Sequence, residues 1–364
     1  MPYRRRPAGG AAVKLETRTG RLHLAEPLRI SRSVMAARDA VVLTVRRGGL
    51  SSSGEVVSSE YLRLPTEVIL RQVEAVRPRI ETQPSPEQAL DRLRDDARMF
   101  PELSPGVPAA VEAALLDVVG KRSGVPVHQL LGAPAAPAAA TARTIGITDP
   151  VRAAAQAARL AAAGFTVLKV KAGAADPAED LARVEAVRVG APDARLLLDP
   201  NGAWTPATAK ALLPLFADLG VEAVEQPIAP GSPDALADLA QSSPLPIVAD
   251  EDAVGHQDAV RLAGRVHGVN IKLAKCGGVT AALRICEALH GTGTGIMLGC
   301  LTASSLGIAP AVHLADRARW VDLDGHLLLS HDPWEGIGGQ DGTVRAPDRA
   351  GLGVLPAPAP GGEA

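Results

Sequence analysis

The sequence predicts an α/β protein in which a parallel (β/α)7β barrel is joined to an α+β cap, and three observations carry that reading. From Thr141 onward, eight short apolar runs alternate with helical segments at roughly one βα unit each. Ahead of them, β-branched runs separated by glycines give way to helical periodicity. Strand after strand in the alternating part also ends on an ionisable residue.

Taken in order, Leu22 to Glu55 holds the runs RLHL and AVVLTV, set apart by RRGG and GLSSSGE, which read as a meander of antiparallel strands. From Pro65 to about Leu131, apolar residues recur at helical spacing, as in PTEVILRQVEAVRPRI and PAAVEAALLDVVGKRSG, with Gly and Pro marking the ends. The strands of the barrel are TARTIGI, FTVLKVK, RLLLD, VEAVEQP, LPIVADE, VHGVNIK, GTGIMLG and RWVDLD. The expected division is a cap over residues 1–132, a barrel over 133–325 and a Gly/Pro-rich segment over 326–364 that packs back on the cap, its last ten residues mobile. The GTGTG near Gly291 precedes its strand instead of following one and is discounted as a dinucleotide signal.

A chain of 364 residues, 46% hydrophobic and 21% charged, is long enough for one large barrel and an accessory domain. Its formal net charge of -2 lacks the electrostatic footprint of non-specific nucleic-acid or anionic-membrane binding, so a small polar partner is expected. Arg4, Arg5 and Arg6 form a basic cluster that is expected to be a solvated end. Cys276, Cys286 and Cys300 have no metal-ligand spacing and are odd in number. They read as reduced thiols, which with the lack of a secretory signal or membrane span gives a cytoplasmic expectation.

The strand-terminal residues are Lys169 and Lys171, Asp199, Glu225, Asp250, Lys272, and Asp322 with Asp324. Carboxyl ends of barrel strands share one face, where a pocket is built. Singly, each Asp could cap the next helix and each Lys could be a solvated loop residue. Capping does not explain why three successive strands supply acids while the strands on either side supply lysines. Three oxygen ligands, Asp199, Glu225 and Asp250, suit Mg²⁺ rather than zinc. Lysines on the second and sixth strands approach a central ligand from opposite sides, which is the arrangement for removing a proton from one face and returning it to the other. A lysine serves as a base only if its pKa falls, and nearby cations with desolvation are expected to lower it. The dianion formed next to a carboxylate needs a cation to neutralise it.

KVK at Lys169, DPN at Asp199, EQP at Glu225, ADE at Ala249 and NIKLAKCGG from Asn270 resemble the enolase superfamily, muconate-lactonizing subgroup, over nearly the whole chain. A lysine base with Mg²⁺ is a known pattern of that superfamily. The resemblance implies a modified TIM barrel (β/α)7β, one Mg²⁺ per active site on Asp199, Glu225 and Asp250, Lys171 and Lys272 as the acid/base pair, and Lys169 as electrostatic helper. Asn201, Gln226 and Glu251 stand behind these residues, and Lys275 is expected to be structural. DLDG at Asp322 looks like the Asp-x-Asp element with which dipeptide epimerases hold a substrate's α-ammonium, and MLGC ending at Cys300 resembles the seventh-strand segment of L-Ala-D/L-Glu epimerases. Arg32 in ISRS matches a family arginine that reaches the site, and the family implies a homo-oligomer.

The chain departs from the pattern at Ala303, where relatives often carry an acid, and in the loop GEVVSSEYLRLPTE at 54–67, where Glu60, Tyr61 and Arg63 are candidates for specificity. The expected activity is Mg-dependent dipeptide epimerisation by two-base 1,1-proton transfer through an enediolate. The alternatives are o-succinylbenzoate synthesis, N-acylamino acid racemisation or cycloisomerisation on the same barrel, or a catalytically silent binding protein.

Overall fold

A computed structural model of the protein describes residues 13–95 and 103–358. The basic cluster at Arg4–Arg6 and residues 359–364 of the tail lie outside the described residues. The cap begins with an antiparallel meander of β1 (Lys14–Ile30), β2 (Ser33–Arg47) and β3 (Leu50–Val57). GLSSSGE, which by composition separates strands, is itself the third strand, in register from Leu50 opposite Arg47 to Val57 opposite Ala40. Its small residues are the reason, because they allow close packing under helix α3 (Gly106–Ser123). A Cβ on Gly54 would stand 2.0 Å from the Ala110 carbonyl oxygen, so only glycine lets strand and helix approach this closely. Helices α1 (Thr66–Glu81) and α2 (Pro86–Asp95) complete the cap. Helix α3 is buried nearly all round, with Val107, Val111, Leu115 and Val118 at 0% exposure, as an element enclosed on every side must be.

After the short α4 (Val127–Leu130) and β4 (Ala138–Ala140), eight parallel strands follow in sequence order. They are β5 (Arg143–Ile145), β6 (Val167–Lys171), β7 (Arg195–Asp199), β8 (Val221–Glu225), β9 (Ile247–Ala249), β10 (Gly268–Lys272), β11 (Gly295–Gly299) and β12 (Trp320–Asp322). Ala142 N–H donates to Val321 O at 2.8 Å and joins the first wall to the last. The intervening helices are α5 (Pro150–Ala162), α6 (Pro177–Gly190), α7 (Pro206–Asp218), α8 (Pro233–Ser242), α9 (His256–Leu262), α10 (Leu273–Cys276) with α11 (Val279–Leu289), and α12 (Ser305–Val312). Three of them start alike, with Asp149, Asp176 or Thr205 accepting a main-chain N–H ahead of a proline in the first turn. Each such cap contributes about 1 kcal/mol and fixes where the strand-to-helix loop ends.

Inside the barrel, Ala142, Val167, Leu197, Ala223, Val248, Met297 and Trp320 form an apolar plug. Side chains two residues further along a strand return to the same face. That step leads from Val167 to Lys169, from Leu197 to Asp199, from Ala223 to Glu225, from Val248 to Asp250 and from Trp320 to Asp322, so the strand period itself stacks the charged residues above the plug. Beyond the barrel, β14 (Thr343–Arg345) pairs with β4, Leu352 N–H donates to Asp117 on α3 at 2.8 Å, and β13 (Trp334–Glu335) pairs with β15 (Leu355–Pro356). Leu355 and Pro356, the first two of the ten residues expected to be mobile, are therefore held in a paired strand. Among the described residues no helix is long and apolar enough to cross a membrane.

Candidate active site

The charged strand ends lie at the floor of a cavity of about 640 Å³ between barrel and cap, whose lining includes Arg32, Tyr61, Lys171, Lys272, Cys300 and Asp322. This volume is that of a small-molecule site. Lys169, 2% exposed, sits deepest, with its Nζ 3.0 Å from Asp199 Oδ2, 2.5 Å from Glu225 Oε2 and 2.6 Å from Asp322 Oδ2. Lys171 Nζ meets Asp199 Oδ2 at 2.5 Å, and Lys272 Nζ meets Asp250 Oδ2 at 2.6 Å. Strands β6 and β10 are four apart in an eight-stranded barrel, so Lys171 and Lys272 stand on opposite walls.

Burial disfavours the ammonium of Lys169, but Asp199, Asp322 and Glu225 together outweigh it and hold its pKa well above the ordinary lysine range. Burial likewise opposes the charged form of Lys272, and Asp250 with Glu225 still raises it. At Lys272 burial and Lys169 act in the expected downward direction, and the carboxylates of Asp250 and Glu225 outweigh them. Asp199 and Asp250 are held below the usual carboxylate range, the lysines overcoming the cost of burial. Glu225 is pushed up to about 7 by burial and by the neighbouring Asp199.

Among the described residues no three His, Cys, Asp or Glu side chains are gathered into metal-ligating geometry, since each strand-end acid is drawn onto a lysine. The oxygens nevertheless suit a hard cation. Glu225 Oε2 is close to Lys169 and Glu251 Oε1 to Arg32 without hydrogen-bond alignment, and Asn201 Oδ1, Asp322 Oδ1 and Glu251 Oε2 are buried without a hydrogen-bond partner. Unpaired buried oxygens of this kind are expensive unless a cation or donor reaches them.

The supporting residues explain how the acids are aimed. Asn201 (φ 51°) and Gln226 (φ 35°) adopt left-handed conformations that L-residues seldom take, directly after β7 and β8. The first turns its N–H onto Asp199 Oδ1 at 2.9 Å, and the second presents Oε1 to the N–H groups of Asp250 (3.0 Å) and Asp252 (3.2 Å). Glu251 forms an ion pair with Arg32 at 3.0 Å, and Arg32 also lies 5.4 Å from the Tyr61 ring centroid. Cys300 lines the same cavity, its thiol pushed upward by burial and by Asp322 and Asp324.

Asp322 and Asp324 are not equivalent. Asp322 keeps Oδ1 unpaired, whereas Asp324 Oδ2 accepts from Thr144 N–H at 2.7 Å and from Arg143 at 3.2 Å. Glu60 and Tyr61 line the cavity, while Arg63 does not and is exposed on a turn. Ala303 is buried in the seam between cap and barrel beside Glu55, away from the main cavity wall. Three contacts are not evident from the sequence motifs. Lys275 reaches Asp250, Arg143 occupies Asp324, and Asn270 Nδ2 holds Glu225 Oε1 at 2.8 Å. The two-residue period that puts Asn270 on the same strand face as Lys272 is the available signal for the last of these, whereas Arg143, next to Ala142 of the plug, falls on the alternate face of its strand and is not marked by it. Gly299 belongs with Asn270, because a Cβ there would lie 2.4 Å from its Oδ1.

A parallel barrel with charged strand ends beneath a separate cap defines the class, and family comparison agrees. The enolase C-terminal domain-like family matches residues 152–359, and the mandelate racemase/muconate lactonizing enzyme N-terminal domain matches residues 12–132. The chain belongs to the mandelate racemase/muconate lactonizing enzyme family of the enolase superfamily. It is 32% identical to the hydrophobic dipeptide epimerase of Roseobacter litoralis, over 94% of this chain and 98% of that protein. It is 30% identical to the L-Ala-D/L-amino acid epimerase of a Maribacter species, over 92% and 96%. Among solved structures, the Enterococcus faecalis dipeptide epimerase complexed with Mg and L-Leu-L-Tyr superposes with a TM-score of 0.88 at 29% identity, covering 94% of this chain and 99% of that one. The substrate-liganded L-Ala-D/L-Glu epimerase of Bacillus subtilis gives 0.89 at 27% identity, covering 96% and 99%.

Proposed function

We propose that this protein is a Mg²⁺-dependent dipeptide epimerase that works by two-base proton transfer. The observation that carries the proposal is the placement of Lys171 and Lys272 on opposite walls, above Asp199, Glu225 and Asp250. Those three acids would hold the cation. Bound there, Mg²⁺ would draw the substrate carboxylate down and neutralise the dianion left when the α-proton departs.

Lys171 and Lys272 then face the two sides of the α-carbon. One takes the proton as the neutral amine, the other returns a proton as the ammonium, and the configuration inverts. Both lysines now rest on metal-site acids, so release of these contacts is what frees an amine to act. Lys169, beneath them, supplies fixed positive charge. Asp322 Oδ1 accepts the substrate α-ammonium, and Arg32 orients Glu251 at the rim. The unpaired acid favours a free ammonium over an N-acylated substrate, which would leave Asp322 Oδ1 without a donor.

The test is chiral chromatography of a panel of L,L-dipeptides incubated with the protein and Mg²⁺, with and without a chelator. Formation of the L,D product only with metal supports the proposal. Turnover of N-succinyl or N-acyl amino acids in its place assigns the racemase alternative.

A further inference from the structure

The cations around the cavity are matched by acids, with one exception. Lys169, Lys171 and Lys272 rest on the strand-end carboxylates, Arg32 on Glu251, Arg143 on Asp324 and Arg21 on Asp39. Arg38, on β2 in the cap wall, has no carboxylate within ion-pair distance among the described residues. Its guanidinium donates to the Ser58 carbonyl at 2.6 Å and to Met35 Sδ at 3.1 Å, and its Nε is buried with no partner at all. Glu60 lines the same wall but is exposed to solvent and forms no ion pair with it. Burial works against the charged form and Glu60 offsets it only from beyond ion-pair distance, yet an arginine stays protonated, so a partly buried cation faces the cavity with no carboxylate in direct contact.

The stereochemistry of the proposed reaction says what would supply one. Three of the four directions at the α-carbon are assigned: the carboxylate toward Asp199, Glu225 and Asp250, the peptide nitrogen toward the residue whose ammonium meets Asp322, and the proton along the Lys171–Lys272 axis. The remaining substituent, the side chain of the residue being inverted, points up to the cap. On the cap side the lining sets Leu28, Ile30 and Met35 alongside Arg38, with the polar Ser58, Ser59, Glu60 and Tyr61 around them. Aliphatic side chains beside a guanidinium that has no carboxylate in ion-pair contact match methylenes capped by a carboxylate.

We infer that Arg38 is a specificity-determining residue that selects dipeptides whose C-terminal, epimerised residue carries an acidic side chain of the glutamate type. This rests on the epimerase reading and sharpens it, because the relatives divide between hydrophobic and L-Ala-D/L-Glu dipeptides. Arg38 lies outside every sequence motif of the site, and only its surroundings mark it.

The experiment compares kcat/KM for L-Ala-L-Glu, its neutral isostere L-Ala-L-Gln and L-Ala-L-Leu in the wild type, R38M and R38K. The wild type is expected to prefer Glu over Gln by about tenfold or more, the discrimination one charge-assisted hydrogen bond supplies. R38M should lose that factor on L-Ala-L-Glu, mostly in KM, with L-Ala-L-Leu altered less than about threefold, and R38K should regain part of it. Equal losses on all three substrates would overturn the inference, since that is what a merely structural grip on Ser58 predicts. A wild type that prefers Leu would overturn it as well. If no dipeptide turns over, the epimerase reading fails separately, and calorimetric binding of L-Ala-L-Glu against L-Ala-L-Gln in the presence of Mg²⁺ decides the role of Arg38. Tighter Glu binding that R38M abolishes supports it, and equal binding refutes it.

Discussion

Lys275 reaches back from α10 to grip Asp250 twice, with its Nζ 2.6 Å from the Asp250 carbonyl oxygen and also on Oδ1, while 1% of the lysine is exposed. A third donation, to Asn270 O at 3.1 Å, ties β9 to β10 through the same ammonium. One buried charge thus fixes both the backbone and the carboxylate of a proposed metal ligand.

Lys275→Met should therefore cost more than an ordinary surface change. Removing one partner of a buried ion pair costs about 3–5 kcal/mol. The expected result in urea titration is a stability loss of that order, together with weaker Mg²⁺ binding by calorimetry. A variant with wild-type stability and Mg²⁺ affinity would show that Lys275 does neither.

Asp322→Asn leaves size unchanged but takes the charge from the acid proposed to meet the substrate ammonium. KM for dipeptides should rise by about tenfold or more. Lys169 also loses one of its three carboxylates, so a fall in kcat is expected as well. An unchanged KM would count against ammonium recognition at this residue.

The seam between cap and barrel holds two buried titratable groups of opposite sign. Glu55 on β3 accepts from Ser304 N–H at 2.8 Å and from Ser304 Oγ at 2.6 Å, and burial pushes its carboxyl up to about 7. The raised value means that its contribution is full below the ordinary carboxylate pKa and is lost as pH rises through about 7. His313, stacked on His128, has its pKa lowered by burial to about 4, so its contribution is full above the ordinary histidine pKa and is lost as pH falls through about 4. Over mildly acidic pH the two oppose. Glu55→Gln should gain stability relative to the wild type as pH rises from about 5 to about 8, by roughly 3 kcal/mol across that window. A difference between the two proteins that is flat with pH, measured by denaturant titration, would contradict a buried, titrating Glu55.

Mg²⁺ should raise the melting temperature, because a cation that binds only the folded site stabilises it by mass action. The shift should vanish in Asp199→Asn, and a chelator should remove activity without unfolding the barrel. Equal shifts in both proteins would place the cation elsewhere.

Much of the barrel and its site is legible in the sequence because β-strands alternate. The step from Val167 to Lys169 or from Val248 to Asp250 needs only the two-residue period, which by itself stacks the acids and lysines on one face. The Ser-rich strand at Leu50–Val57 is hidden because its residues resemble a turn, and only packing under α3 makes them a strand. Lys275, Arg143 and Arg38 are obscure for a common reason. Their importance lies in which carboxylate each one touches or lacks, and such partners come from elements distant in sequence. The contact of Lys272 with Asp250 is likewise a matter of ångströms that the order of residues does not disclose.

The most direct test of the opposed-base mechanism is proton NMR of an L,L-dipeptide and its L,D epimer in D₂O with Mg²⁺, run on the wild type, Lys171→Ala and Lys272→Ala. The wild type is predicted to exchange the α-proton of both epimers and to interconvert them. Each variant should lose epimerisation, and any exchange that survives should be confined to one epimer, a different one in each variant. Epimerisation persisting at more than about a tenth of the wild-type rate in either variant, a far smaller loss than removal of an acid/base group brings, would contradict the mechanism.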